Sequence, residues 1–400
     1  MHKRTIYNRF DIYITLLIAL QFFGIYGGAL QPVRVLSLLS FPVLLMCRAN
    51  LKYYRYEFVF FVFFLISGLA LTIFSFYVAE AMKELLYLAI SFNMVFNVII
   101  AANNAKRPKN SIIRGWFLFL LFALPIAVFE IFFDWHFSNS KVSAGTFLGG
   151  HDRVLKKFAA LTFGNFNLFN VVIVYALPFA FSFLLLDKLE KKIKVVLLAL
   201  LLTGGLVILV NGSRGAFLGA IICVACFFWK SFTKKKRKNL FVLIAVLVMG
   251  INYLTTKGSN LLLVFTDKKD RLFSDNARQT LIEISFEELV NSNFLGVGPA
   301  NIEYIIVNNH GYNLGATHNL FMEILAQYGL PVFLGFIYLL YRIYKRAFKV
   351  DKISKYIIIT SILIIPITSV INSKYLAGVN FWLFLASLLI ISNHKLKKIE

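Results

Sequence analysis

The sequence predicts an all-α, polytopic integral membrane protein, and three observations carry that reading. Of 400 residues, 59% are hydrophobic and 15% charged, with a mean hydropathy of +0.75. A soluble domain runs at ~45–50% apolar and ~25% charged. The 43 Phe and 18 Tyr lie in long apolar runs. A water-soluble core of this size cannot bury them all, so lipid is the solvent for most of the chain. The net charge of +23 comes from Lys and Arg gathered in short stretches between those runs. That is the pattern of loops facing anionic lipid, and it argues against nucleic acid as a partner.

A hydropathy window of about 19 residues places spans at 12–30, 32–47, 57–79, 81–102, 112–133, 166–186, 193–210, 215–232, 239–255, 318–341, 356–371 and 376–392, about twelve helices. The first run is followed by Gln31-Pro32-Val33-Arg34, with no small-x-small cleavage pattern, and reads as an uncleaved span. The second is short and carries Arg34. With the N-terminus inside, the basic clusters fall on the cytoplasmic side loop by loop. Examples are Lys106, Arg107 and Lys109, the run Lys234-Lys235-Lys236-Arg237-Lys238, and Arg342, Lys345 and Arg346. Both termini are then cytoplasmic. No internal repeat or linker divides the chain, so 1–400 reads as one membrane domain.

Two long connections, 134–165 and 256–317, fall on the outer side. The larger lies between helices 9 and 10 and looks ordered. Over 278–290 apolar Ile282, Phe286 and Leu289 alternate with Glu283, Glu287 and Glu288, as in an amphipathic helix at the membrane interface. Gly296-Val297-Gly298-Pro299 is a turn, and Asn301 is placed to cap a further helix. Chemistry is therefore expected at the outer face.

Asn211-Gly212-Ser213-Arg214-Gly215 joins two spans by a tight outer turn. Arg214 reads equally as a ligand for phosphate oxygens or as an arginine snorkelling to headgroups; the missing counter-charge and the glycine frame favour a ligand. Arg278 opens the amphipathic segment and would complete a clamp, or is a solvated charge. Lys268, Lys269 and Arg271 rank below it. His318 stands where the large loop enters the tenth span, placed to stay neutral and accept a proton, or to serve as an interfacial residue. His310 reads as mid-loop and more mobile. His136 and His151 have no partners at metal-ligand spacing, so no metal site is read and no cofactor is implied. Glu323 lies one turn into the tenth span, Glu130 near the end of the fifth, and Glu80 or Glu84 pairs with Lys83. Cys223 and Cys226 form a C-x-x-C inside a span and read as small packing residues; with Cys47 they give no disulfide framework.

Three segments together resemble the bacterial O-antigen ligase and Wzy-type polysaccharide polymerase superfamily. They are Phe163-Gly164-Asn165-Phe166-Asn167-Leu168-Phe169-Asn170, then Ser213-Arg214-Gly215, then Phe294-Leu295-Gly296-Val297-Gly298-Pro299-Ala300-Asn301 followed by His318-Asn319-Leu320-Phe321-Met322-Glu323. The resemblance covers roughly 160–345. It lacks the family's proline before the second Asn of the first motif. It implies a glycosyltransferase in the cytoplasmic membrane of a bacterium that takes an oligosaccharide from an undecaprenyl diphosphate carrier at the outer face. By the same resemblance Arg214 and Arg278 hold the diphosphate, His318 activates the acceptor hydroxyl, and Ser213, Asn319 and Glu323 support them. The acceptor is a lipid-linked glycan in a polymerase or lipid A core in a ligase. A chain-length regulator and a flippase are further partners, with membrane lipids around the spans. The stretch 298–304 looks closest to capsule and exopolysaccharide polymerases, and a ligase is the alternative. A precursor flippase is the reading of another class; it would need internal symmetry and broken midplane helices, which the sequence does not display.

Overall fold

The computed structural model describes residues 7–47, 49, 51–138, 158–186, 190–231, 268–312, 316–397 and 399, with side chains between 268 and 291 described from Arg278 onward. The predicted span 239–255, His151, and the side chains of Lys268, Lys269 and Arg271 lie outside it. Among the described residues there are helices and no strands. Among the described residues seven helices are long and apolar enough to cross a membrane, which makes this a multi-pass membrane protein.

The first predicted span is not one helix. α1 (Arg9–Ala19) opens on a capping box between Asn8 and Asp11, and gives way to a short 3-10 turn over Leu20–Phe23. At Gly24, φ is +48, and a Cβ there would lie 2.8 Å from the backbone of Thr162 and Phe163. The chain must bend here because another loop's backbone already fills the space. Pro32 restarts the helix as α2 (Pro32–Leu45), since its missing N–H costs nothing in a first turn. α3 (Arg55–Ile73), α4 (Val78–Asn104), α5 (Pro108–Phe133), α6 (Phe166–Leu184), α7 (Lys191–Asn211) and α8 (Arg214–Ser231) follow. Then come α9 (Lys268–Asn291), α10 (Asn301–His310), α11 (Leu320–Arg346), α12 (Lys352–Thr368) and α13 (Val379–Ile391).

The apolar side chains sort by neighbour. α13 is buried along its whole length, as expected of a helix that is apolar all round. Trp382 packs on Phe92 at 4.8 Å, Phe384 stacks on Tyr175 at 4.1 Å, and the Trp116 indole donates to Ser387 Oγ at 3.1 Å. α3 and α7 turn Phe63, Ile66, Leu202 and Leu206 outward, the surface a lipid solvent requires.

Polar contacts gather at two opposite ends of the spans. At one, Asp11 accepts from the backbone of Lys106 and Arg107 at 3.1 and 2.8 Å, Lys109 pairs with Asp351 at 3.5 Å, and buried Glu57 meets Arg346 at 2.7 Å. These are the segments assigned from sequence to one side. At the other end, the connections before α4, α6, α8, α11 and α13 meet. The candidate residues belong to this second end.

The large connection is built against α11. α9 buries Leu281, Ile284 and Leu289, of which Leu281 and Ile284 form a small separate core with Ile302, Ile306 and Ala326. The expected helix over 278–290 is present and starts ten residues before Arg278, with Ile282 and Phe286 facing outward. Asn301 does not cap α10. Ala300 precedes the helix with φ +58 and no capping bond, while Asn301 Oδ1 accepts from Tyr77 N at 3.0 Å and fixes the α3–α4 connection.

α11 breaks at Gly329, with φ +79 and ψ 176. The freed carbonyls of Ala326 and Gln327 accept from Val297 N and Gly298 N, both at 2.9 Å, and Leu330 N donates to Phe294 O at 2.9 Å. A break in a spanning helix is tolerated where protein satisfies the released backbone groups. The glycines of the third motif thus serve backbone packing. A Cβ on Gly329 would come within 2.2 Å of Leu295 O, and one on Gly296 within 2.6 Å of Gly329 N.

Candidate functional site

The Arg214 turn is clamped from inside. Asn211 is fully buried. Its amide donates to Ala159 O at 3.0 Å and Asn170 Oδ1 at 2.8 Å, and its oxygen accepts from Ala159 N at 2.8 Å. Asn170 is the last residue of the first motif, so two motifs separated in sequence share one hydrogen-bonded junction. Gly212 takes φ +68, and the Ser213 carbonyl accepts from Phe217 N at 2.9 Å in the first turn of α8. Arg214 projects exposed from this frame, with no carboxylate in ion-pair range among the described residues.

His318 occupies the left-handed region, φ +50. Few non-glycine residues do so, and they cluster at functional positions. Asn319, the N-cap of α11, accepts from Phe321 N at 2.9 Å and Met322 N at 3.2 Å. His318 Nδ1 is buried with no hydrogen-bond partner among the described residues. Burial and, after it, repulsion from the Arg278 guanidinium hold the imidazole down to about 4. Arg278 is itself exposed on α9. The structure therefore brings His318 and Arg278 into electrostatic range of one another.

The turn after α12 joins this pair to Arg214. A Cβ on Gly215 would lie 2.8 Å from Ile371 Cγ1, so the start of α8 is seated on that turn. Leu320 N donates to Ser369 O at 2.9 Å, which seats the start of α11 on the same turn. Glu323 is buried and accepts from Tyr375 N and Leu376 N at 2.9 and 3.2 Å. It braces the turn and makes no described contact with His318. Lys374 on the turn pairs with Glu303 of α10.

Sequence reasoning missed this brace. Lys374 was visible as a lone cation between two apolar runs, but nothing in its neighbours linked it to Glu303. Two histidines fall differently from their sequence readings. His310 is not mid-loop: it ends α10, with Nε2 3.4 Å from Glu288 Oε1. His136 does have carboxylate neighbours, Asp134 at 3.1 Å and Glu130 at 3.7 Å, and stacks on Phe158; the bend after α5, not a motif spacing, collects them. Lys83 pairs with Glu80 at 3.3 Å. Tyr304 stacks on Tyr77 at 4.7 Å, and Phe321 packs on Phe333 and Phe336.

The spanning-helix bundle thus carries at one end a glycine-framed arginine and a second arginine in electrostatic range of a buried histidine. Residues 171–337 match the family model described as O-antigen ligase. The matched stretch contains Arg214, Arg278 and His318 and stops short of the turn that braces them. The chain is also similar to the teichuronic acid biosynthesis protein TuaE of Bacillus subtilis (strain 168), 24% identical over 350 residues, covering 82% of this chain and 70% of the relative.

Proposed function

We propose that this protein is a membrane-embedded glycosyltransferase of polysaccharide biosynthesis, taking glycan from an undecaprenyl diphosphate carrier at the outer face of the cytoplasmic membrane. The observation that carries the reading is His318, neutral, with a buried unpartnered ring nitrogen and Arg278 in electrostatic range. Arg214 and Arg278 hold the diphosphate. His318 takes the proton from the acceptor hydroxyl, whose oxygen then bonds to the anomeric carbon. The bond from that carbon to the diphosphate breaks with its electron pair moving to phosphate, where the arginines stabilise the developing charge. Undecaprenyl diphosphate leaves, and direct displacement inverts the anomeric centre.

The low basicity of His318 fits an ordered cycle. Diphosphate bound to Arg278 cancels the repulsion on the imidazole, so the base strengthens when the donor arrives. Ser213, Asn319 and Glu323 act as positioning residues through the two helix starts and the turn.

We read the reaction as polymerisation, with a lipid-linked glycan as acceptor and a flippase and a chain-length regulator as partners. The B. subtilis relative is named for teichuronic acid biosynthesis, and the stretch 298–304 resembles polymerases. The family description, O-antigen ligase, favours transfer to lipid A core. A glycan gel of a strain lacking the gene separates the two. Single repeat units on their normal acceptor mean a polymerase. Full-length polymer held on carrier means a ligase. An unchanged pattern means neither, and would leave a transporter or an assembly factor.

A further inference from the structure

Beside the candidate site, a cavity of about 40 Å³ opens between the start of α2, α6 and the connection into α13. Its walls include Leu168, Val171 and Phe381, and its polar lining includes Gln31, Lys374 and Asn380. Gln31 and Asn380 are 5% and 4% exposed. Gln31 Nε2 donates to Gly24 O at 2.8 Å, which fixes the direction of its amide. Gln31 Oε1 and Asn380 Oδ1 are both buried with no hydrogen-bond partner among the described residues. Unpaired buried acceptors are costly, and a cavity that collects two of them asks for a ligand rich in donors.

The size limits the ligand. A water needs about 10–15 Å³ by this measure, so the space takes about three hydroxyl-sized groups. That is one edge of a sugar ring. The apolar walls suit the C–H faces of such a ring, and a few convergent polar groups among apolar walls are the usual make-up of a ligand pocket.

Location gives the sugar its role. Leu168 and Val171 flank Asn170, which holds the Arg214 turn through Asn211. Lys374 and Tyr375 belong to the turn that seats α8 and α11, and Lys374 leads outward to Glu303 and the stacked Tyr304–Tyr77 pair. We propose that this cavity is a saccharide subsite for the acceptor glycan. Gln31 Oε1 and Asn380 Oδ1 accept hydroxyl hydrogens, Lys374 donates to a ring or hydroxyl oxygen, and the tyrosine pair carries the next sugar outward. The proposal rests on the transferase reading above, because it gives the acceptor a place apart from the diphosphate.

The test uses the full chain in nanodiscs with two probes. One is undecaprenyl diphosphate. The other is the free oligosaccharide released by mild acid from the host's lipid-linked repeat unit. Asn380→Leu and Gln31→Leu remove the unpaired oxygens, and Leu168→Phe fills the cavity from the other wall. Each variant is expected to weaken oligosaccharide binding at least tenfold and to keep undecaprenyl diphosphate affinity within twofold. The thermal midpoint of Asn380→Leu holds or rises, because replacing an unpaired buried acceptor by an apolar group is neutral or stabilising. Oligosaccharide bound equally by parent and variants overturns the subsite. So does a parent that binds undecaprenyl diphosphate and no oligosaccharide, and so does loss of both probes or of folding in all three variants, which would make these residues structural. A parent that binds oligosaccharide but not undecaprenyl diphosphate instead removes the diphosphate clamp and leaves the cavity a sugar site of another protein class.

Discussion

At the scale of single residues, the imidazole of His318 is governed by two forces that can be separated. Burial and the Arg278 charge both disfavour its protonated form, and together they hold it at about 4. Replacing Arg278 by Ala removes the second force, so the His318 titration followed by NMR is expected to move up toward the ordinary value near ~6.5. The same shift links to stability. The folded value is depressed, so the unfolded chain binds the proton first as pH falls. Stability conferred by neutral His318 is complete above about pH 6.5 and is lost progressively down to about pH 4. Against His318→Ala, the parent protein should lose about 1–2 kcal/mol more over that range once solvent screening is allowed for. Thermal melts of both proteins at several pH values check it. In reconstituted transfer assays, Arg214→Ala should lower turnover about 10²–10³-fold, and His318→Ala about 10²–10⁴-fold, with folding intact. Sequence singled out Arg214 and His318 because each stands at the rim of an apolar run, and Arg278 because it opens an amphipathic segment. Their supports were not legible there. Asn211 and Asn170 meet only because two helices cross, and Glu303 and Lys374 are distant in sequence.

At the scale of elements, the spanning helices were readable from hydropathy, and their irregularities were not. The first run is apolar throughout, yet the backbone of Thr162 and Phe163 forces it to bend at Gly24. On α9 the sequence offers two apolar stripes. Periodicity alone could not say that Leu281 and Ile284 would face Ile302 and Ile306 while Ile282 and Phe286 stay outside. The Gly329 break was equally silent, since Gly-Leu-Pro inside an apolar run is compatible with a continuous kinked helix. Here the expected cost is steep. Gly329→Ala forces an L side chain into a left-handed backbone against the Leu295 carbonyl. It should destabilise the protein by at least about 2 kcal/mol, read from denaturant unfolding in detergent.

At the scale of the whole molecule, the polar contacts divide the bundle into a basic end and a site end. Asp11 is the knot of the basic end, satisfying Asn8, Lys106, Arg107 and Ser111 together. Asp11→Ala leaves those donors unpaired and should cost about 2–4 kcal/mol, visible as a lower unfolding midpoint with little change in glycan transfer per folded molecule. Sidedness has its own check. In a cysteine-free background, Asn309→Cys on α10 should react in intact cells with a membrane-impermeant thiol reagent, and Lys352→Cys at the opposite end should not.

The brace around Ser369 and Tyr375 sets the order in which this protein can mature. Val297 and Gly298 leave the ribosome before their partners on α11 exist, and α11 in turn precedes the turn that receives Leu320 and Glu323. A nascent chain ending after Arg346 would carry both arginines and the histidine, yet it would have nothing to seat them. Under the proposed transferase reading, competence waits on the hairpin that follows α11, and a product truncated after Arg346 would be inert while still holding Arg214, Arg278 and His318.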